Sequence, residues 1–271
     1  MQKIQIDDRS YAFHDVGAGA PALLFHGFPF CSDSFWPQIE RPPQGLRLIL
    51  PDHRGFGESE LGADSISMDA YARDGLRLLD ALKIDRSIVG GVSMGGYVAL
   101  ALARLAPERV SALVLIDTQS VADDADGKTR RELSAQEIAT SGLRSLVTSM
   151  LARLFSAHVD AGVRARIEAM MLAQLPAAAM AATRAMGQRI DSTNSLSQFD
   201  KPCLIVVGEE DQITPVARAQ MMADAASSAT LEIIRGAGHL PHLEQPEVFR
   251  SLIERFATAV NESAKATGKT L

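Results

Sequence analysis

The sequence predicts an α/β fold: a mostly parallel central sheet with helices on both faces. Three observations carry this. Apolar runs recur along the chain without the alternation of a one-sided sheet, helical patterns lie between them, and nearly every run ends in glycine or a polar residue. Size permits it, since 271 residues can bury a substantial core.

The elements read in order as follows. KIQID and YAFHDV alternate apolar and polar residues around Asp8-Arg9-Ser10, the pattern of a hairpin. PALLFHG is a buried strand stopping at His26-Gly27, LRLILPD one ending at Asp52, and RSIVGGVS one ending at Ser93. MDAYARDGLRLLDAL spaces Tyr71, Leu76, Leu79 and Leu82 as a helical stripe, and MGGYVALALARLAP is a helix halted by Pro107. VSALVLID, KPCLIVVGEED and ATLEIIRGAGH supply three more strands. Residues 121–200 break the alternation: rich in Ala and Met (Met150, Met170, Met171, Met180, Met186), they read as helices inserted between two strands. The expected organisation is a core from 1–120, a helical cap or lid from 121–200, the rest of the core from 201–262, and a polar, flexible tail from 263–271.

Composition bounds the function. Hydrophobic residues make up 46% and charged residues 22%, as in an ordinary folded protein. A net charge of −6 with no Lys/Arg block argues against nucleic acid or an anionic membrane as partner. No run reaches the roughly 18 apolar residues of a membrane span, and the N-terminus lacks the apolar stretch of a secretory signal. With Cys31 and Cys203 the only cysteines, a reduced, cytoplasmic setting is expected. No metal is expected, because His239 and His242 have no nearby cysteine or second histidine pair to complete a site.

The chemistry centres on GGVSMGG. Gly91-Val92-Ser93-Met94-Gly95 fits G-x-S-x-G between a strand and a helix, where a sharp turn exposes the serine and flanking residues must lack side chains. Serine needs a base, and the base needs an acid to orient it. Of Glu209, Glu210 and Asp211, Asp211 is chosen because it closes the turn before Ile213-Thr214-Pro215; the two glutamates read as loop-structuring or solvated. His239, in a glycine-rich loop after its strand, is placed to reach Ser93, whereas His242 reads as a packing or helix-entry residue.

The chain resembles the α/β-hydrolase superfamily, specifically its lipase- and esterase-like members with a helical cap. The resemblance is carried in order by His26-Gly27-Phe28-Pro29, Asp52-His53-Arg54-Gly55-Phe56-Gly57-Glu58-Ser59, Gly91 to Gly96, Gly208-Glu209-Glu210-Asp211, and Gly238-His239 with Glu244-Gln245-Pro246. It implies Ser93, Asp211 and His239 as a catalytic triad, with Asp117 as an alternate acid. It also implies an oxyanion hole of the Phe28 and Met94 backbone N–H groups, leaving the Phe28, Met94 and Pro29 side chains to line the substrate pocket. Asp52 and Arg54 are implied to be structural, His53 a satisfied loop histidine, Cys31 noncatalytic near the cleft mouth, and Trp36 with Phe35 an anchor for the following helix. Serine at the elbow excludes the dehalogenase and epoxide-hydrolase chemistries, which use aspartate there.

The implied reaction is cofactor-free hydrolysis of small to medium carboxylic esters or lactones through an acyl-enzyme. Pro29 is also similar to what perhydrolase and haloperoxidase relatives carry, and thioester or carbon–carbon bond hydrolysis uses the same triad. A reading of another class is a small-ligand receptor or signalling protein with slow hydrolysis.

Overall fold

A computed structural model describes residues 1–266, with side chains through residue 262. The chain opens on β1 (Gln2–Ile6), β2 (Arg9–Gly17) and β3 (Ala20–Phe25), followed by α1 (Trp36–Glu40) and β4 (Leu46–Pro51). Next come α2 (Met68–Ala81), β5 (Ser87–Val92), α3 (Met94–Leu105) and β6 (Val110–Ile116). Five helices then intervene without a strand: α4 (Ala125–Ser141), α5 (Arg144–Leu151), α6 (Ala161–Leu172), α7 (Pro176–Gly187) and α8 (Thr193–Ser197). The chain returns through β7 (Cys203–Gly208), α9 (Val216–Ala225), β8 (Ala229–Ile234), α10 (Pro241–Glu244) and α11 (Pro246–Ala266).

The eight strands form one sheet in the order β1-β2-β4-β3-β5-β6-β7-β8. β1 and β2 pair antiparallel, as does β2 with β4; every pairing from β4 through β3 to β8 is parallel. Strands β5, β6 and β7 are buried at every residue, which requires cover on both faces and explains why their sequences are continuously apolar. The edge strand β8 is only partly buried and correspondingly mixed.

Three expectations shift. The first turn falls one residue earlier than the sequence implies: Asp7 takes φ 54° and Arg9 already belongs to β2, buried, with its guanidinium on Tyr11 and Asp64. On α2 the buried face is Met68, Tyr71, Ala72, Gly75, Leu78 and Leu79, while Leu76 and Leu82 are half-buried. Gly75 sets that face, since a β-carbon there would lie 2.6 Å from the Phe25 ring. At the C-terminus, α11 runs to Ala266, past the expected start of a tail at 263; residues 267–271 lie outside the described residues. Among the described residues no helix is long and apolar enough to cross a membrane.

Helix α2 also offers a direct check on capping. The Ser67 hydroxyl accepts the Ala70 N–H at 3.0 Å. Ser67→Ala is expected to cost about 1 kcal/mol, lowering the melting temperature by roughly 2–4 °C in a domain of this size. An unchanged thermal melt would show that the cap does not hold the helix.

Candidate active site

The polar residues singled out in the sequence converge on one edge of the sheet, beyond the carboxyl ends of its parallel strands. Ser93 follows β5, Asp117 follows β6, Asp211 lies past the end of β7, and His239 past the end of β8. Phe28 lies on the loop after β3.

Ser93 has φ 54° and ψ −112°, a left-handed conformation in which a residue with a β-carbon is strained. The backbone around it is pinned: its N–H donates to the Ile116 carbonyl at 2.8 Å, and its carbonyl accepts the Thr118 hydroxyl at 2.8 Å. The glycines have a steric cause. A β-carbon on Gly91 would lie 2.4 Å from the Gly95 carbonyl carbon, and one on Gly95 would lie 2.2 Å from the Phe25 carbonyl oxygen. From Ser87 to Ala103, Ser93 alone escapes full burial. The turn therefore lifts one hydroxyl out of an otherwise sealed strand–helix junction.

His239 and Asp211 form a buried pair, with Nδ1 2.8 Å from Asp211 Oδ2. Asp211 is itself held on all sides. Its Oδ1 accepts the Ile213 and Thr214 N–H groups at 2.7 and 3.0 Å, and its Oδ2 accepts the Thr214 hydroxyl at 2.8 Å. Burial alone would raise the Asp211 pKa, but the charge and hydrogen bond of His239 outweigh it and hold the carboxyl below the usual aspartate range. Asp211 is thus an anion kept for an imidazole. The Ser93 hydroxyl makes no hydrogen bond to His239 among the described residues, so the structure joins the imidazole to the carboxylate but not to the serine.

The His239 loop is fixed from two sides. A β-carbon on Gly208 would come within 1.9 Å of the Gly238 carbonyl, so β7 and this loop touch through backbone. On the other side His239 N–H donates to the Leu154 carbonyl at 2.8 Å. Glu244 accepts the Gly238 N–H at 2.9 Å and the Ser156 N–H at 2.8 Å, tying the helical insertion to the histidine loop. Glu210 accepts the Ala157 N–H at 3.2 Å and Glu209 the Gly236 N–H at 3.2 Å, so both glutamates structure loops.

Neither the Phe28 nor the Met94 N–H donates to any group of the described residues, which leaves two free backbone donors near Ser93. Their side chains are buried in the apolar core, Phe28 meeting Phe56 edge-on with ring centroids 6.3 Å apart. Pro29 is buried next to Phe28, the peptide between them being cis. The Met side chains of the insertion divide: Met171 and Met186 are core, while Met150, Met170 and Met180 are half-buried.

The neighbouring loop is scaffolding. Asp52 accepts from the Ser32 N–H and hydroxyl and from the Glu58 N–H, and Arg54 forms a bidentate pair with Asp74 of α2 at 2.6 and 2.5 Å. His53 donates its N–H to His26 Nε2, but its own Nε2 has no partner among the described residues. It is held by rings instead, stacked on Phe25 at 5.4 Å and tilted against Tyr71 at 4.4 Å, and burial drives its pKa well down. His242 is likewise packed, between Phe35 and Phe249. The Cys31 thiol is buried and pushed up to about 12 by that burial, which makes it a poor nucleophile. Phe35 is fully buried as an anchor, whereas Trp36 is half-buried and carries the Arg166 guanidinium of α6 over its ring at 4.2 Å.

Ligand-type atoms of Asp117, Asp211 and His239 all lie within 4.8 Å of one another, the spacing of a metal site. Two of the three are already satisfied by each other, and Thr214 occupies Asp211 further. Thr214 is the residue whose part the sequence conceals. Its only trace is the Asp-x-x-Thr spacing, in which a threonine returns to an aspartate three residues before it.

Residues 21–246 match the sequence pattern of the α/β hydrolase fold. The chain belongs to the α/β-hydrolase family. This α/β hydrolase is 30% identical over 260 residues to a 2-hydroxymuconate semialdehyde hydrolase of Pseudomonas putida, covering 90% of this chain and 89% of that one. Similarity to 3-oxoadipate enol-lactonase 1 of Acinetobacter baylyi is 29% over 245 residues, covering 89% and 90% of the two chains. Among solved structures, a thermophilic esterase from Thermogutta terrifontis superposes with a TM-score of 0.92 at 33% identity, covering 96% of this chain and 99% of that one.

Proposed function

We propose that this α/β hydrolase cleaves small to medium carboxylic esters or lactones through an acyl-enzyme on Ser93. His239 takes the Ser93 proton as the hydroxyl attacks the carbonyl carbon, and returns it to the leaving oxygen. Asp211 holds the imidazole with Nδ1–H directed at its carboxylate. The Phe28 and Met94 N–H groups receive the oxyanion, each such donor being worth roughly 3 kcal/mol where removal has been measured. Water activated by His239 then releases the acid. The helical insertion serves as the roof of the substrate pocket, with Met150, Met170 and Met180 as its adaptable apolar surface.

The observation that carries this reading is the buried His239–Asp211 pair at the strand ends that also hold the half-buried Ser93. Likeness to the esterase and the enol-lactonase supports the substrate class. Likeness to the 2-hydroxymuconate semialdehyde hydrolase favours a second reading, carbon–carbon bond hydrolysis by the same residues. The test is turnover of p-nitrophenyl esters from acetate to octanoate, beside an enol-lactone and a vinylogous diketone acid. A chain-length optimum among the esters, or preference for the lactone, is the expected result. Cleavage of the diketone alone would move the assignment to the second reading, and no turnover of any of them would defeat both.

A further inference from the structure

Asp117 is a buried carboxyl that the reaction above does not use. It sits at the end of β6 with φ 42°, a left-handed conformation unusual for a residue with a side chain. Its Oδ1 accepts the Gly208 N–H at 2.9 Å, but its Oδ2 is buried without a hydrogen-bond partner among the described residues. A buried carboxylate oxygen left this way is expensive, and such groups in folded proteins almost always have a partner. The group beside it is Asp211, another carboxyl, within the cluster that includes His239.

Charge counting then restricts the protonation state. Asp117 and Asp211 are 1% and 4% exposed, and the ion pairs of the described residues give Asp211 His239 and give Asp117 none. Glu244, also mostly enclosed, contributes a further negative field from the α10 side. Two carboxylates this close and this dry cannot both ionise beside one imidazole. Asp211 is the one supplied with two backbone N–H donors, a hydroxyl and the imidazole, so it keeps the charge. A neutral carboxylic acid has one O–H to donate, and it removes the orphan at Oδ2.

We propose that Asp117 is a neutral positioning residue whose O–H donates to the Asp211 carboxylate, so that the histidine faces a single negative charge. The proposal rests on the hydrolase reading above for its kinetic consequence. Burial, then the Asp211 charge, raises the Asp117 pKa well above the usual range, in the direction the geometry requires. Were Asp117 ionised instead, its charge would stabilise the imidazolium, and deprotonation of His239 would need a higher pH.

Infrared difference spectra of the whole protein and of Asp117→Asn at neutral pH test the proton directly, whether or not any ester turns over. The expected result is a protonated-carboxyl band in the wild type that disappears in the variant; a carboxylate band lost instead would overturn the proposal. Kinetics on the best ester give the second readout. Asp117→Ala is expected to lower kcat about tenfold or more, the scale of one hydrogen bond to a charged group. Asp117→Asn, which keeps a neutral donor, should recover most of that loss with the acid limb of kcat/KM where the wild type has it. An acid limb moved to lower pH in Asp117→Asn means that a charge was removed, and asparagine as slow as alanine means that the donor does nothing; either sinks the proposal. Ester turnover that Ser93→Ala leaves intact would fail the hydrolase reading itself, and the infrared band would still decide the state of Asp117.

Discussion

Ser93→Ala is expected to lower kcat/KM for the best ester by roughly 10⁴- to 10⁶-fold, with residual turnover from the oxyanion donors and binding alone. The size follows from the poor nucleophiles that the neighbouring loops offer in its place. Cys31 is buried with its thiol pushed up to about 12, and the Asp52 carboxylate is committed to Ser32 and Glu58. Alanine keeps the β-carbon that the left-handed conformation already tolerates at this position, so the variant should fold as the wild type does. A melting curve beside the rate measurement separates lost chemistry from lost structure. Activity that survives the substitution in a folded variant would remove Ser93 from the mechanism. If the wild type were itself inert yet bound one small ligand tightly, a receptor role would take the place of the hydrolase.

The second large effect concerns stability in acid, and it comes from histidines rather than carboxylates. His242 is 1% exposed between Phe35 and Phe249, and neither ring nitrogen has a hydrogen-bond partner of normal geometry among the described residues. Burial, with a smaller contribution from His239, pushes its pKa from 6.5 down to about 3. The folded state therefore binds this proton more weakly than the unfolded state. Its stabilisation is complete above pH 6.5 and is lost as the pH falls from 6.5 towards 3, amounting to about 5 kcal/mol at full extent. His26 and His53, also lowered by burial, act in the same direction. Asp211, held below its ordinary value, adds a loss only at still lower pH, while Asp117 and Glu244, raised by burial, favour the fold as the pH falls. Urea midpoints measured from pH 7 to pH 4 should fall steeply in the wild type. In His242→Phe, which keeps the ring and discards the titration, the slope should drop by the equivalent of about one proton. Equal slopes in the two proteins would show that His242 does not stay neutral in the fold.

Much of the candidate site is legible in the sequence because each part is announced locally. Ser93, Asp117 and Asp211 follow continuous apolar runs that must be buried strands, and a parallel sheet sends all such ends to one side. The glycines of GGVSMGG reflect backbone contacts that no side chain can share, so the motif carries its own geometry. What stays hidden depends on residues meeting across the fold. Arg54 finds Asp74 on a helix that begins 14 positions further along, and nothing in either segment names the other. The buried face of α2 is misread because Ala72 and Gly75 contribute to it by being small, whereas an apolar stripe is sought among large residues. Thr214 escapes notice because its hydroxyl becomes an Asp211 ligand only once the turn closes. His53, expected to be a satisfied loop histidine, instead keeps its Nε2 without a hydrogen-bond partner among the described residues and packs against aromatic neighbours.

The ties among Leu154, Ser156, Gly238 and Glu244 bear on how such an enzyme can diversify. Because the His239 N–H ends on the Leu154 carbonyl of the insertion, and Glu244 bridges Ser156 and Gly238, residues 154–157 form a post shared by the insertion and the histidine loop. Lengthening or redirecting the chain there would drag the imidazole with it. Among the described residues the stretch from α6 through α7 carries no hydrogen bond to the His239 loop, so substitutions at its exposed and half-buried positions leave the imidazole's backbone anchors in place. On the hydrolase reading, the two flanks of the insertion therefore differ in tolerance: changes at 154–157 shift the imidazole as well, whereas surface changes on α6 and α7 do not reach it.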